Sequence, residues 1–364
     1  MQCPENIIFN GGWIVQEFNH SKGLTDFLSA SFDWIEFTVF KESLNNIISN
    51  ILLMNIEDFE PLPKGRFGYN TQLKWANGLI FILFNADVEG NAIKNDRNGI
   101  HVIFTGRGCR AFEYKGNFRE LFYLVLVGSK DNKFTRIDLA IDDKKDEIIN
   151  FERFWTELEA GNVSSKWKTW DLILSRTLGD NKFKGRTIYL GKQSSDIFCR
   201  VYDKGLERFS KNCVEIVFEK LEWTRLEIVF RRDRAKLLSK FFLESEDGVG
   251  QVALAVLNQY IRFLIPNPEN ERKRAWETAE WWEVLLHNVG KLKLTKETTE
   301  RTIEDFQDWI DKQIGPTLSA IISAKDGEVD WLYKIIHESS TRLKPKHRDA
   351  INKYQIQNKK NISF

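Results

Sequence analysis

Residues 133–142, KFTRIDLAID, alternate between apolar and polar side chains in the way that is typical of a half-buried β-strand. Successive side chains of a strand point to opposite faces of its sheet, so the two kinds of side chain separate. One face carries Ile137, Leu139 and Ile141, and the other carries Arg136, Asp138 and Asp142. The segment therefore predicts a strand with one face on a core and the other face charged.

The segment WTRLEIVFR, residues 223–231, has the same order of threonine, arginine, apolar residue and acid. Its two faces carry Leu226, Ile228 and Phe230 on one side and Arg225, Glu227 and Arg231 on the other. Further segments rich in Ile, Val, Phe, Thr and Trp predict strands at residues 32–40, 69–76, 79–85, 99–106, 170–177, 186–191 and 197–203. Helical composition interrupts them only at residues 118–127 and 151–158, without a regular β-α-β alternation. We expect an α+β fold with an antiparallel-rich sheet.

The pattern changes after residue 232, where apolar residues recur at spacings of three and four. This spacing predicts helices at residues 252–264, 271–286, 302–314 and 330–336. The chain is therefore expected to form an α+β catalytic domain at residues 1–245 and a helical domain at residues 246–364.

Composition restricts the classes of function. The 364-residue chain is 13% aromatic and has only 7 prolines, which is typical of a folded globular protein. Its formal net charge of +1 means that any nucleic-acid surface must be local. Its 4 cysteines lack the spacing of a zinc site, and no apolar run is long enough to span a membrane. We expect a soluble, cytoplasmic protein.

The acids within the two strands need an explanation, because a buried carboxylate without a partner is costly. One alternative is a ladder of ion pairs across neighbouring strands, Arg136 with Glu227 and Arg225 with Asp138. The other is a cluster of oxygen ligands for Mg²⁺ or Mn²⁺. The candidate ligands are Asp138, Glu227 and Asp142.

The segment RVYDKGLER, residues 200–208, places a tyrosine between two cations. If the segment is extended, Arg200, Tyr202 and Lys204 project from the same face. A metal that polarises a phosphoryl oxygen, a tyrosine nucleophile and a cation that lowers the phenol pKa would form a transesterification site. The stretch GRGCR, residues 106–110, could in addition hold a phosphate on its backbone amides if a helix begins there.

Five segments in this order resemble the replication initiation factor family, which includes rolling-circle initiators of plasmids and phages and relaxases of conjugative elements. They are DWIEFTV at 33–39, GIHVIFTGRGCRAFE at 99–113, FTRIDLAIDD at 134–143, IFCRVYDKGLE at 197–207 and WTRLEIVFRRD at 223–233. The resemblance implies a metal-dependent enzyme that nicks one strand of a replication origin, forms a 5′-phosphotyrosine bond, leaves a 3′-hydroxyl primer and later religates the strand.

The resemblance also implies roles for individual residues. Tyr202 matches the family's nucleophile, with Lys204 and Arg200 beside it, and Asp138 and Glu227 match acidic strand positions that hold the metal. The basic candidates for DNA contact are Arg107, Arg110, Arg136, Arg225, Lys182, Lys184 and Arg186. The expected partners are double-stranded origin DNA, the single-stranded nick region, and a host helicase and polymerase. No membrane partner is expected, and a homodimer is compatible with the sequence.

Two other functions remain open from the residues themselves. A DNA-binding repressor or architectural protein could use the same fold, with Asp138 and Glu227 serving only in salt bridges. An RNA-processing or phosphodiesterase activity on the same metal centre would hydrolyse its substrate without a covalent protein intermediate. Dependence on a divalent metal separates the repressor from the enzymes, and a covalent adduct separates the two enzymes.

Overall fold

The computed structural model describes residues 28–114, 116–211, 222–245, 247–286, 303–343, 347–348, 350–352 and 354–355. The chain divides into two compact units, Met1–Lys296 and Glu297–Phe364. The first unit contains the sheet described below, and in the second the described helices span residues 303–342.

A ten-stranded antiparallel sheet forms the first unit, with strand order β2-β3-β4-β5-β1-β6-β11-β10-β9-β8. A separate two-stranded sheet pairs β7 with β12. The described strands are β1 Leu28–Val39, β2 Phe59–Leu62, β3 Thr71–Trp75, β4 Ile80–Phe84, β5 Ile100–Phe104, β6 Lys133–Asp143, β7 Val163–Ser165, β8 Trp170–Arg176, β9 Phe183–Leu190, β10 Ile197–Asp203, β11 Thr224–Arg231 and β12 Ile261–Phe263. All nine strands expected from the sequence are present, which confirms the α+β class.

The large sheet consists of two halves built in the same way. In the first half, β1 lies at the centre of the sheet, β2 at the edge, and β3, β4 and β5 return to β1. In the second half, β6 lies at the centre, β8 at the edge, and β9, β10 and β11 return to β6. The halves join where β1 pairs with β6. This duplication of topology has no counterpart that could be recognised in the sequence.

Helices of the first unit pack against one face of the sheet. The described helices of both units are α1 Leu44–Asn46, α2 Gly106–Glu113, α3 Phe118–Gly128, α4 Phe151–Glu159, α5 Lys204–Lys211, α6 Asp233–Glu244, α7 Val249–Tyr260, α8 Glu280–Leu286, α9 Ile303–Trp309, α10 Gly315–Ala324 and α11 Asp330–Ser339. Single π-helical turns lie at Ile47–Ile51 and Ile310–Ile314, and 3-10 turns at Ile56–Asp58, Lys273–Ala275 and Ser340–Arg342.

Two predicted helices are wrong in part. The expected helix at 252–264 ends at Tyr260, because residues 261–263 form β12 and pair with β7. The expected helix at 271–286 begins only at Glu280, after the 3-10 turn. Both segments carry apolar residues whose spacing suits a helix, but strand pairing and tertiary packing determine their backbone conformation.

The core lies between the sheet and its helices. Phe32 of β1 packs against the rings of Phe118, Phe122 and Phe242, which come from α3 and α6. The central strands add the apolar side chains expected from the alternation, since Ile137, Leu139 and Ile141 are fully buried. Each such side chain contributes about 1.5–3 kcal/mol when it leaves water. The opposite face of the sheet, which carries the charged residues Arg136, Asp138 and Glu227, is called the open face below.

The predicted boundary between residues 245 and 246 falls earlier than the division between the two units. Helices α7 and α8 belong to the sheet unit, where Val252, Leu257 and Trp282 are part of its core. The restriction of nicking activity to residues 1–245 stays a prediction.

Two further expectations concern the cysteines and a membrane. Cys109 and Cys199 are buried free thiols, whereas Cys3 and Cys213 lie outside the described residues. None of the described helices is both long and apolar enough to cross a lipid bilayer.

Candidate active site on the open face of the sheet

The centre of the open face carries two buried carboxyl groups from neighbouring strands. Asp138 of β6 and Glu227 of β11 are both completely buried, and they are close enough for the charge of Asp138 to act on Glu227. Burial raises the pKa of both carboxyls, and the neighbouring arginines oppose this only in part. The strand pattern thus brings together the two acids that it predicts, and their environment favours a shared proton or a bound cation.

Tyr202 reaches this pair from the next strand. In the pairing of β10 with β11, Arg200 lies opposite Glu227 and Tyr202 lies opposite Arg225. The Tyr202 hydroxyl donates to Glu227 Oε2 at 3.3 Å, and the Arg200 guanidinium forms an ion pair with the other oxygen of the same carboxylate. A phenol therefore lies within hydrogen-bonding distance of a buried carboxyl group that could accept its proton.

The acidity of Tyr202 differs from the expectation. Burial and the charge of Glu227 raise the pKa of its phenol, and the nearby Arg225 and Arg200 offset this only partly. The sequence predicted a lowered pKa, because it placed cations beside the phenol but gave no sign that the carboxylate would be closer. With protein groups alone, Tyr202 is a neutral phenol at pH 7.

Lys204 also occupies a different place from the one predicted. The strand ends at Asp203, whose carboxylate accepts from the backbone N–H of Leu206, and Lys204 is the first residue of α5. Its Nζ lies 2.6 Å from Glu207 Oε2 and 5.4 Å from the Tyr202 ring centre. Lys204 therefore remains near the phenol, but a helix and not strand alternation positions it.

Asp33 is a site residue that the sequence analysis missed. It lies at an irregularity of β1, between the pairs that Phe32 and Trp34 form with β6. Its Oδ1 accepts from Arg225 Nη1 at 2.5 Å, and burial raises the pKa of its carboxyl. A side chain at Gly106 would place a Cβ 2.8 Å from the same oxygen, so glycine lets α2 begin against this carboxylate. The available signal was an acid inside the strand segment DWIEFTV.

Asp142 is held by donors on both of its oxygens. Arg225 donates from Nε and Nη2 at 2.7 Å each, and the indole of Trp223 donates at 2.7 Å to Oδ1. Its place as a metal ligand stays a prediction, although these three bonds use most of the lone pairs that a metal could bind. The expected ion-pair ladder has different partners, since Arg225 binds Asp142 and Asp33, and Arg136 binds Asp138 on its own strand.

The other basic candidates fall into two groups. Arg110 is paired with Glu113 and Arg186 with Glu152, so both have structural partners. The remaining three are exposed, and Lys182 forms a surface ion pair with Asp180. The exposed candidates are Arg107, Lys182 and Lys184.

The donors at the centre of the face suit a hard divalent cation. Asp33, Asp138 and Glu227 supply carboxylate oxygens, which hard cations prefer, and burial raises the pKa of all three carboxyls. Within the described ranges, however, no group of three or more His, Cys, Asp or Glu side chains has the geometry of a metal site. The donor chemistry thus fits Mg²⁺ or Mn²⁺, while the side chains themselves are arranged in ion pairs.

Two sequence families match this chain. Residues 132–336, more than half of the chain, match the replication initiation factor family. Residues 29–124 match the N-terminal domain of rolling circle replication initiation proteins. The two matches together cover both halves of the sheet.

Individual proteins give the same result. A putative DNA relaxase, NicK, from Bacillus subtilis strain 168 is 26% identical over 332 residues, which is 88% of each chain. A replication initiation protein from Staphylococcus aureus is 27% identical over 190 residues, 51% of this chain and 55% of that protein. The structure of a rolling circle replication initiator from Geobacillus stearothermophilus superposes with a TM-score of 0.61 at 28% identity, covering 74% of this chain and all of that one.

Proposed function

This chain belongs to the replication initiation factor family, and from that premise we propose that it is a rolling-circle replication initiator or DNA relaxase that nicks and rejoins one DNA strand through Tyr202. The reaction is a transesterification. The Tyr202 oxygen attacks a backbone phosphorus, a 5′-phosphotyrosine bond forms, and the bond to the 3′ oxygen breaks to leave a 3′-hydroxyl. The reverse attack by that hydroxyl closes the strand and releases the phenol.

The contact between Tyr202 and Glu227 is the observation that carries this proposal. The phenol must lose its proton as it attacks, and Glu227 Oε2 lies 3.3 Å from the phenol oxygen. Its raised pKa makes Glu227 a better proton acceptor than an ordinary glutamate, provided that it is ionised before the attack. Arg200 pairs with the ionised carboxylate before the attack, and its charge would balance the phosphate once Glu227 has taken the proton.

A divalent metal is part of the proposal. Asp138, Glu227 and Asp33 would hold it, because burial raises the pKa of these three carboxyls and a cation would offset that cost. Asp142 is a weaker candidate, since it accepts three hydrogen bonds from Arg225 and Trp223. When bound, Mg²⁺ or Mn²⁺ would polarise the phosphoryl oxygen and neutralise the buried carboxylates.

The proposed partners follow from the same chemistry. DNA is the substrate, as the names of the relatives imply for those proteins. A cytoplasmic location, a host helicase and polymerase, and a homodimer stay predictions.

The experiment that tests the function uses supercoiled replicon DNA with Mn²⁺ or Mg²⁺, followed by denaturing gels for nicked strands and for protein attached to a 5′ end. The Tyr202→Phe variant should lose both products by at least 10³-fold, since phenylalanine has no oxygen that could form the adduct. Tyr189→Phe is the matched control, because Tyr189 lies opposite Arg200 on the same face of β9. A Tyr202→Phe protein that still forms the adduct would exclude this nucleophile.

A non-catalytic DNA-binding protein is the second candidate. The observation in its favour is that Arg136 and Arg225 already satisfy Asp138, Asp142 and Asp33 as ion pairs. A protein of this kind would bind the replicon DNA equally with and without a chelator and would cut it in neither condition.

A further inference from the structure

The hairpin of β8 and β9 extends past the edge of the sheet beside Tyr202. The two strands pair with each other from Trp170 and Leu190 down to Arg176 and Phe183. Strand β9 pairs with β10 only from Thr187 to Leu190, and Thr187 is the residue opposite Tyr202. Residues 174–184, which we name the ribbon, are the ends of these two strands and the turn that joins them, and they extend beyond the point where the candidate nucleophile lies.

The ribbon has a surface that is unusual for an exposed hairpin. Every residue from 174 to 184 except Thr177 is exposed. Leu178 is fully exposed at the turn, and Leu174 and Phe183 also present apolar surface to solvent. Arg176 lies over the Phe183 ring at 5.4 Å, and Lys182 and Lys184 add positive charge on the returning strand. Exposed apolar side chains among cations mark a surface that another molecule covers.

The turn of the ribbon is held in one shape. Thr177 Oγ1 accepts from the backbone N–H of Lys182 at 2.9 Å and is also hydrogen-bonded to the Asp180 carboxylate. Arg176 donates from Nη1 to the Asn181 carbonyl at 3.1 Å. These bonds reduce the entropy that the turn would lose on binding, so the ribbon is organised in advance for a partner.

We propose that the ribbon enters a groove of double-stranded DNA next to the strand that Tyr202 attacks. A two-stranded ribbon fits the major groove, where apolar side chains contact the methyl groups of thymine bases. Arg176 and Lys184 would contact phosphates, whereas Lys182 is partly neutralised by Asp180 at 3.0 Å. Leu178 and Phe183 would lie against the bases. This inference rests on the proposed function, since it concerns the duplex beside the nick.

Four variants and two substrates test the ribbon. The substrates are a fluorescent duplex fragment of the replicon DNA that the wild-type protein binds, and a single-stranded oligonucleotide taken from the same fragment. The ribbon variants are Leu178→Ser and the double change Arg176→Ala with Lys184→Ala. Val88→Ser is the control for the first, because Val88 is an equally exposed loop residue. Arg119→Ala with Lys130→Ala is the control for the second, because both cations are exposed and α3 lies on the opposite face of the sheet.

The double ribbon variant should weaken duplex binding about 10-fold and reduce the slope of log affinity against log salt by about 2, one for each lost phosphate contact. Leu178→Ser should weaken duplex binding several-fold without changing the salt slope, since it removes no charge. Both variants should cleave the single-stranded oligonucleotide within two-fold of wild type, and both controls should resemble wild type with either substrate.

Two results would overturn the inference. One is duplex affinity within two-fold of wild type in both ribbon variants. The other is an equal loss of single-strand cleavage, which would mean that the ribbon supports the site itself. Failure of the proposed function is distinguishable from both, since the wild-type protein would then nick neither substrate, while duplex binding would still be measurable.

Discussion

The two halves of the sheet share a topology but differ in chemistry. On the open face, β10 and β11 of the second half carry Arg200, Tyr202 and Glu227. On the same face, the corresponding strands β4 and β5 of the first half carry Phe81, Leu83 and Ile103, together with His101, which is hydrogen-bonded to Thr38. The framework thus occurs twice, and a tyrosine beside a buried glutamate occurs only once in the described sheet. The comparison teaches that this fold supplies positions for a site, and that a few side chains decide whether a position becomes reactive.

The first half also contains an acid on the open face, and its surroundings show what separates the halves. Glu36 faces solvent in part and accepts from the Trp34 indole at 2.7 Å, with His101 Nε2 at 3.5 Å. Burial acts to raise the pKa of Glu36, but hydrogen bonds from His101 and Trp34 outweigh it, so the net pKa is lowered. Glu227 has a raised pKa instead. One glutamate is stabilised as an anion, and the other is kept ready to accept a proton.

The largest expected difference between the halves is in DNA cleavage. Glu227→Gln should reduce nicking of supercoiled replicon DNA by 10²–10⁴-fold, because the amide cannot accept the phenol proton. Glu36→Gln should change the rate by less than about three-fold. Single-turnover nicking rates measure both. Equal losses in the two variants would mean that the whole face acts as one site, and the comparison would fail.

The two glutamates should affect stability with opposite pH dependence. The raised pKa of Glu227 contributes stability below its ordinary pKa, and this contribution is lost as the pH rises through its folded-state pKa. The lowered pKa of Glu36 contributes stability above its ordinary pKa, and this contribution is lost as the pH falls. As the pH rises from 4 to 7, the stability of Glu227→Gln should therefore increase relative to wild type, and that of Glu36→Gln should decrease relative to wild type.

Urea unfolding at pH 4, 5.5 and 7 with a chelator present measures this pair of trends. The chelator removes any cation that would stabilise the carboxylates of the second half. Parallel trends in the two variants would contradict the assigned difference in environment.

The smallest expected difference concerns the helices that follow the last strand of each half. Thr105 caps α2 by accepting from the Gly108 N–H at 3.2 Å, whereas Arg232 at the start of α6 has a φ of 51° and makes no side-chain cap. Thr105→Ala should lower the free energy of unfolding by about 1 kcal/mol. Arg232→Gly should raise it by about 0.5–1 kcal/mol, because glycine adopts this backbone without strain. The exposed Arg232 to Asp196 ion pair offsets little of this gain.

Denaturant titrations of both variants measure whether the free energy of unfolding falls in Thr105→Ala and rises in Arg232→Gly. A loss of stability in Arg232→Gly would mean that its ion pair outweighs the backbone strain.

Much of the sheet could be predicted because strand alternation is a local property. The alternation of apolar and polar residues around Ile137 and Ile228 predicts a strand and shows which face is apolar. Both isoleucines are buried as expected. The pairing of β1 with β6, and hence the duplication, could not be predicted, since it depends on contacts between strands far apart in sequence. The helix predicted for residues 261–263 was wrong for a related reason, because their partner strand β7 is distant in the sequence.

The site was predicted less completely than the sheet. Strand alternation predicted Asp138 and Glu227 as site residues. Tyr202 was predicted because it lies between two cations in the sequence. Asp33 was missed because only the irregularity of β1 turns its carboxylate toward Arg225. The direction of the Tyr202 pKa was wrong, since sequence spacing cannot tell that a carboxylate is nearer than the cations.

The position of β1 and β6 at the middle of the sheet has a consequence for synthesis on the ribosome. Strand β5 returns to β1, so all five strands of the first half can pair once residue 104 has left the exit tunnel. Tyr202 and Glu227 are made later, and their half then adds to a completed edge of β1. The unreactive half can thus act as a template on which the reactive half assembles.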